Sequence, residues 1–242
     1  MRFEPFGTTY DGSHVLWRHD IDYSIQHAAS IAQIEADHGV RATYFVLLGS
    51  PYYNLFELEA TLQLRAIVNQ GHWLGLHFDP ERHGQLGTAD MELAMKREAE
   101  ILSDLSQSPV TSVSFHNPGL AGVLHMDGDR LGGLLNVYSR QIRERYAYCS
   151  DSFGSWRHRP LHDVINDEAL RHLHLLTHPI WWQAKPMGSR ERIKACVQAH
   201  SDRLDRIYDD LLARAGQLEA VMAADKFRGF KFPAAPSWFS GG

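Results

Sequence analysis

The chain has 242 residues, 44% hydrophobic and 22% charged, which excludes a wholly disordered chain and leaves enough apolar material for a proper core. A formal net charge of -5, with no basic run, excludes a nucleic-acid-binding surface, because phosphate recognition needs clustered Lys and Arg. No apolar stretch approaches the roughly 20 residues of a membrane span, no apolar signal segment follows Met1, and Cys149 and Cys196 lie far apart. A cytoplasmic protein with two reduced thiols and no transmembrane segment is therefore expected.

Taken in chain order, β-branched and aromatic runs alternate with helical patterns. The first strand is read at His14–Arg18, and it ends in the polar Asp20-Ile21-Asp22. A helix follows, with Ser24 as N-cap and Ala28, Ala29, Ile31, Ala32 and Ile34 at helical spacing, until Gly39 stops it. A second strand spans Ala42–Leu47, and a helix from about Leu58 to Gln70 ends at Gly71. A third, Trp73–Leu76, runs into His77-Phe78-Asp79. The pattern Thr88–Ser106 is a long amphipathic helix. A fourth strand, Val110–Phe115, ends in His116-Asn117-Pro118-Gly119, and Gly132-Gly133 marks a turn. A fifth, Tyr146–Cys149, ends in Ser150-Asp151-Ser152, and a sixth, His174–Thr177, ends in His178-Pro179. From about Arg190 to Ala224 the chain reads as one or two amphipathic helices. No internal repeat or linker appears, so a single domain over 1–242 is expected.

Strands separated by helices of this length pair in parallel through right-handed crossovers. Residues just past the strand C-termini then meet on one face, in an open doubly wound sheet and in a (β/α) barrel alike. Those positions hold His19, Asp20, Asp22, His77, Asp79, His116, Asp151 and His178. A capping role accounts for an Asp at a strand end, but not for the histidines. Imidazole and carboxylate without Cys suit zinc or another divalent first-row metal with an open position for water. A carboxylate beside such a centre can take the proton of the attacking water, and a His opposite can protonate the leaving group.

The order of these motifs resembles the polysaccharide deacetylase superfamily (NodB homology, carbohydrate esterase family 4). The resemblance covers residues 12 to 183 and rests on Arg18-His19-Asp20-Ile21-Asp22, Ala42-Thr43-Tyr44-Phe45-Val46, Gly71-His72-Trp73-Leu74-Gly75-Leu76-His77, Phe115-His116-Asn117-Pro118-Gly119, Tyr148-Cys149-Ser150-Asp151-Ser152 with Trp156, and Leu176-Thr177-His178-Pro179. It implies a distorted, NodB-like (β/α) barrel of about seven parallel strands with C-terminal helices. It also implies a metal-dependent hydrolase, most readily with zinc, that removes an acetyl or formyl group from an amino sugar in a glycan precursor.

The sequence departs from the family pattern in three places: Ile21 separates Asp20 from Asp22, Glu81 rather than His stands four after His77 with His83 two further on, and His116 replaces an Arg. On this reading Asp22 and His77 bind metal. His116 is preferred as third ligand over Glu81 and His83, because a strand end is better positioned than a loop. By correspondence Asp20 is the general base and His178 the general acid, with the roles of Asp20 and Asp22 exchangeable. Arg18 is expected to pair with a site carboxylate, and Arg18, Asp151 and Trp156 to meet substrate. His72 caps or packs. Tyr52, Tyr53, Trp181 and Trp182 either stack on a sugar ring or pack in the core. Two further readings use the same motifs: an amidohydrolase acting on a small non-sugar amide without metal, and an inactive glycan-binding relative. An iron oxygenase with two His and one carboxylate ranks last.

Overall fold

The computed structural model describes residues 1–84, 86–156 and 159–225. The chain divides into two compact units, Met1–Cys196 and Val197–Gly242.

The first unit is built on one sheet. Its elements are β1 (Arg2–Phe3), β2 (His14–Ile21), α1 (Ile25–Asp37), β3 (Thr43–Val46), α2 (Leu58–Asn69), β4 (Trp73–Phe78), α3 (Thr88–Ser106), β5 (Ser112–Phe115), β6 (Arg130–Leu131), β7 (Leu134–Asn136), α4 (Arg140–Arg145), β8 (Ala147–Ser150), α5 (Leu161–Ile165), β9 (His172–Thr177) and the start of α6 (Ser189–Arg214). The second unit holds the rest of α6 and α7 (Leu218–Asp225). No helix among the described residues is long and apolar enough to cross a membrane.

The sheet runs β6-β7-β5-β4-β3-β2-β9-β8, with β1 added beside β2. Every described pairing is parallel except β6 with β7, whose two-residue turn puts Gly132 and Gly133 at φ 57° and 84°. Positive φ at both turn positions is what a tight antiparallel hairpin needs. Seven parallel strands thus run from β7 to β8, as the alternation of strands and helices implied. The sheet curls into a half-barrel that brings its two margins together: Tyr138, just past β7, and Tyr148, on β8, line one cavity.

Strand alternation sorts the chemistry. On β2, Leu16, Arg18 and Asp20 point into the barrel, while Val15, Trp17, His19 and Ile21 point out. The outer face is covered by α1, α2 and α3 through Ala28, Ala32, Leu64, Ile67, Met95 and Leu102, packed on Tyr44, Val46, Leu74, Leu76, Phe78 and Val113. Inside, Phe6, Leu16, Phe45, Val137 and Ile142 form an apolar floor. Val15, Cys149, Leu173 and Leu175 pack beneath Val164 of α5. The inner layer is apolar at its base and polar at the strand C-termini, so the sheet itself aims the polar groups at one end.

Two sequence readings change in detail. β2 extends to Ile21 and β4 to Phe78, so Asp20 and His77 sit inside strands, Asp20 paired with Phe45 of β3 and His77 with Ser114 of β5. β1, β6, β7, α4 and α5 are short elements without a detectable apolar period, and the sequence reading did not resolve them.

Candidate metal and acid–base site

Asp22, His77 and His116 come from three elements, the ends of β2, β4 and β5, and each offers one ligand atom within 4.8 Å of the others. His77 Nε2 lies 3.2 Å from Asp22 Oδ1, and His116 Nδ1 lies 3.5 Å from the same oxygen and 3.3 Å from His77 Nε2. Asp22 Oδ1 is buried and, among the described residues, has no hydrogen-bond partner. A buried carboxylate oxygen without a donor is costly, and three acceptor-capable atoms facing one point are what a cation relieves. Burial by itself would raise the Asp22 carboxyl; the His116 and His77 imidazoles offset this and hold it far below the usual range.

The second contacts of both imidazoles agree with a ligand role. His77 Nδ1 is 2.7 Å from the Ser114 hydroxyl; with Nδ1–H donating there, the Nε2 lone pair would face Asp22 as a ligand requires. His116 Nε2 is 2.9 Å from the Asn117 side-chain amide. The facing atom is Asn117 Nδ2; with the amide turned over, its oxygen would accept the Nε2–H and free the Nδ1 lone pair. Asn117 has φ 44°, a left-handed conformation that Asn tolerates better than most residues. The residues present therefore fit a divalent metal of the zinc type: two imidazoles, one carboxylate, and open space on the cavity side.

Two ion pairs flank this triad. On one side Arg18, with no exposed surface, donates from Nε and Nη2 to both oxygens of Asp20 at 2.7 and 2.6 Å. Burial would raise the Asp20 carboxyl, but Arg18 and then His77 overcome this and keep it below its ordinary value. On the other side His178 Nδ1 donates to Asp151 Oδ1 at 2.7 Å, and the His178 backbone N–H donates to the same oxygen at 3.0 Å. Trp182 Nε1 donates to Asp151 Oδ2 at 3.0 Å. Burial lowers the His178 imidazole, yet the Asp151 bond and the Asp22 charge outweigh it and raise it above its usual value. His178 Nε2 lies 3.9 Å from Asp22 Oδ2. A carboxylate on one wall and a raised imidazole on the other make a proton acceptor and a proton donor about one central point.

All of this opens into a cavity of about 590 Å³ lined by Asp20, Asp22, His77, His116 and His178 together with aromatic walls from Tyr23, Phe115, Tyr138, Tyr148 and Trp181.

The expected site residues divide by geometry. Asp20, Asp22, His77, His116 and His178 meet at the cavity. Arg18 and Asp151 do not line it; each stands behind a cavity residue and fixes it, which corrects the expectation that they touch substrate. Trp156 is a further correction. It packs against the core formed by Val15, Cys149, Val164, Leu173 and Leu175, because the turn after Asp151 carries it outward. Trp181 lines the cavity instead.

Among the other candidates, Glu81 lies in a short turn capped by Asp79, whose side chain accepts from the Glu81 N–H at 3.1 Å. His83 stacks on Phe78 and pairs with Glu98 at 2.8 Å. His72 accepts from the Ala42 N–H and donates to the Ala32 carbonyl, a packing role. The Tyr53 hydroxyl lies 2.6 and 2.9 Å from the Ile21 and Leu47 carbonyls and ties the β2 end to the β3 end. Tyr52 packs edge-on against Tyr23. His19, adjacent to Asp20, points to the opposite face. The residues that sequence reasoning missed are Tyr138 and Tyr148, which join the site through the curl of the sheet. The only signal for Tyr138 was its place just after the Gly132-Gly133 turn.

No family model matches the chain, and no curated protein matches it. Solved structures do. The catalytic domain of a peptidoglycan N-acetylglucosamine deacetylase from Eubacterium rectale is 16% identical, with 79% of this chain and 87% of that chain covered at a TM-score of 0.48. A family 4 carbohydrate esterase from Streptomyces lividans, in complex with acetate, is 17% identical over 80% and 90% of the two chains, with a TM-score of 0.45. A family 4 pseudoenzyme from Bacillus anthracis is 13% identical over 80% and 62%, with a TM-score of 0.41.

Proposed function

We propose that this chain is a divergent polysaccharide-deacetylase-type hydrolase that uses a divalent metal to remove an acetyl or formyl group from an amino sugar, acting on a glycan precursor on the cytoplasmic side. The observation that carries the reading is the convergence of Asp22, His77 and His116 on one point around an unpartnered buried oxygen. The Arg18–Asp20 and His178–Asp151 pairs on either side support it.

Asp22, His77 and His116 would hold the ion, for which zinc suits the donor set. When bound, the ion supplies Lewis acidity, making water nucleophilic near neutral pH and polarising the acyl carbonyl. The remaining work belongs to the protein. Asp20 takes the proton of the attacking water. Its two oxygens already accept from Arg18, which fixes the carboxylate and leaves a lone pair on each for the incoming proton. His178, whose imidazole pKa Asp151 raises, gives its Nε2 proton to the departing amine, so that the products are a carboxylic acid and a free amino sugar. Aromatic walls exclude water and offer faces for the sugar ring.

The test is direct. Protein purified without a histidine tag is analysed for metal and incubated with N-acetyl and N-formyl amino sugars, and released acid is measured. One divalent ion per chain, with turnover that a chelator abolishes and added zinc restores, is expected. Turnover that ignores the chelator, or none with metal bound, overturns the reading.

A further inference from the structure

We infer that Tyr138 is a substrate-contacting residue whose phenolic O–H donates to an oxygen acceptor of the bound substrate. The inference deepens the proposed hydrolase reading and rests on it.

Hydrogen bookkeeping around Arg18 leads there. Arg18 Nε and Nη2 donate to Asp20, and Nη2 also donates to the Tyr138 hydroxyl oxygen at 3.1 Å. An Arg has donors only, so the Tyr138 oxygen is the acceptor in that contact and its own hydrogen must point elsewhere. It does not go to Asp20, whose carboxylate accepts from Arg18 alone. Among the described residues the Tyr138 O–H meets no protein acceptor, while its side chain forms part of the cavity wall beside Asp20, Asp22 and His77. A half-buried phenol that faces the cavity with its donor uncommitted to protein is placed to donate to an oxygen of the ligand.

The phenol is also well held. The Tyr138 backbone N–H donates to the fully buried Asn136 side chain at 2.9 Å, and Asn136 in turn donates to the Met126 and Gly128 carbonyls at 2.8 and 2.9 Å. The ring stacks on Phe115 at 5.9 Å and receives the Arg18 guanidinium on its face at 4.9 Å. A donor fixed this firmly loses little entropy when substrate arrives. Burial keeps the phenol in its protonated, donating form, with Asp20 reinforcing that direction against Arg18.

Substitution by Phe removes the donor and keeps the ring. In metal-loaded protein, Tyr138→Phe is expected to lower kcat/KM by about tenfold or more, as loss of one hydrogen bond to a polar acceptor does. The acid limb of its pH–rate profile should stay where it is in the wild type. The loss should also shrink to within about twofold for a deoxy or thiocarbonyl analogue that lacks the acceptor oxygen. A variant within about twofold of wild type on all substrates overturns the inference. So does a loss accompanied by a shift of the acid limb, which would mean that Tyr138 acts through the Arg18–Asp20 pair. Wild-type protein that turns over nothing contradicts the hydrolase reading itself, so the two failures are told apart.

Discussion

The two faces of β2 carry almost the same residue types and do opposite things. On the outer face, His19 Nε2 meets Glu35 at 2.6 Å, Tyr44 donates to Glu35 at 2.7 Å, and Thr177 links His19 to the Trp17 indole at 2.8 and 3.0 Å. Both nitrogens of His19 and both Glu35 oxygens have partners, and α1 covers the whole. On the inner side, Arg18 Nη1 on β2, Asp22 Oδ1 just past its end, His174 Nε2 on β9 and Trp181 Nε1 beyond β9 are buried and, among the described residues, without a hydrogen-bond partner. His174 is pushed down to about 3 by burial and by Arg18, and so stays neutral inside the barrel. A buried imidazole–carboxylate pair is thus no mark of function. What separates a structural network from a working one is whether its polar atoms are already spent on each other.

The comparison breaks most visibly at Glu35. Replacing it with Leu leaves His19 buried without its partner, and a loss of about 3–5 kcal/mol of folding stability is expected in denaturant titrations. Metal content and turnover of the folded fraction should not change. The sign with pH follows from the Glu35 carboxyl, which burial would raise but His19 lowers below its ordinary value. The stabilisation is therefore complete above the unfolded value near about 4.3 and is lost as pH falls through the lower folded value. Glu35→Leu should lose that acid-dependent component. An unchanged stability curve, or lost metal, would put the outer network inside the site.

A smaller effect is expected on the inner face at Asp151. His178 carries a raised pKa, so donor function is present at low pH and lost as pH rises through the folded value. Asp151→Asn removes the anion, lowers that value, and should move the alkaline limb of the pH–rate profile down by about one unit while metal content is kept. An unmoved limb would remove His178 from the acid role.

Much of this was legible in the sequence because strand ends in parallel α/β folds share one edge. Asp20, Asp22, His77, His116 and His178 could be gathered from order alone. Facing was not legible where neighbouring residues in one strand end differ, since alternation is set by register. That is why His19 and Asp79 joined the expected constellation, although one pairs with Glu35 and the other caps a turn. Trp156, expected to meet substrate, packs on the core instead, whereas Trp181, left open between stacking and packing, lines the cavity. Tyr138 was hidden more deeply. β7 is the three-residue stretch Leu134–Asn136, too short for a periodic signal, and Tyr138 reaches the site only because the sheet curls until its margins meet.

The central claim is that Asp22, His77 and His116 hold one ion while His83, the other imidazole candidate, is committed to Glu98. Crystals grown with zinc and measured at its absorption edge test it most directly. The account predicts one strong anomalous peak bridging Asp22, His77 and His116, lost in His116→Ala and retained in His83→Ala. A peak between His83 and Glu98, or none beside Asp22, would contradict it.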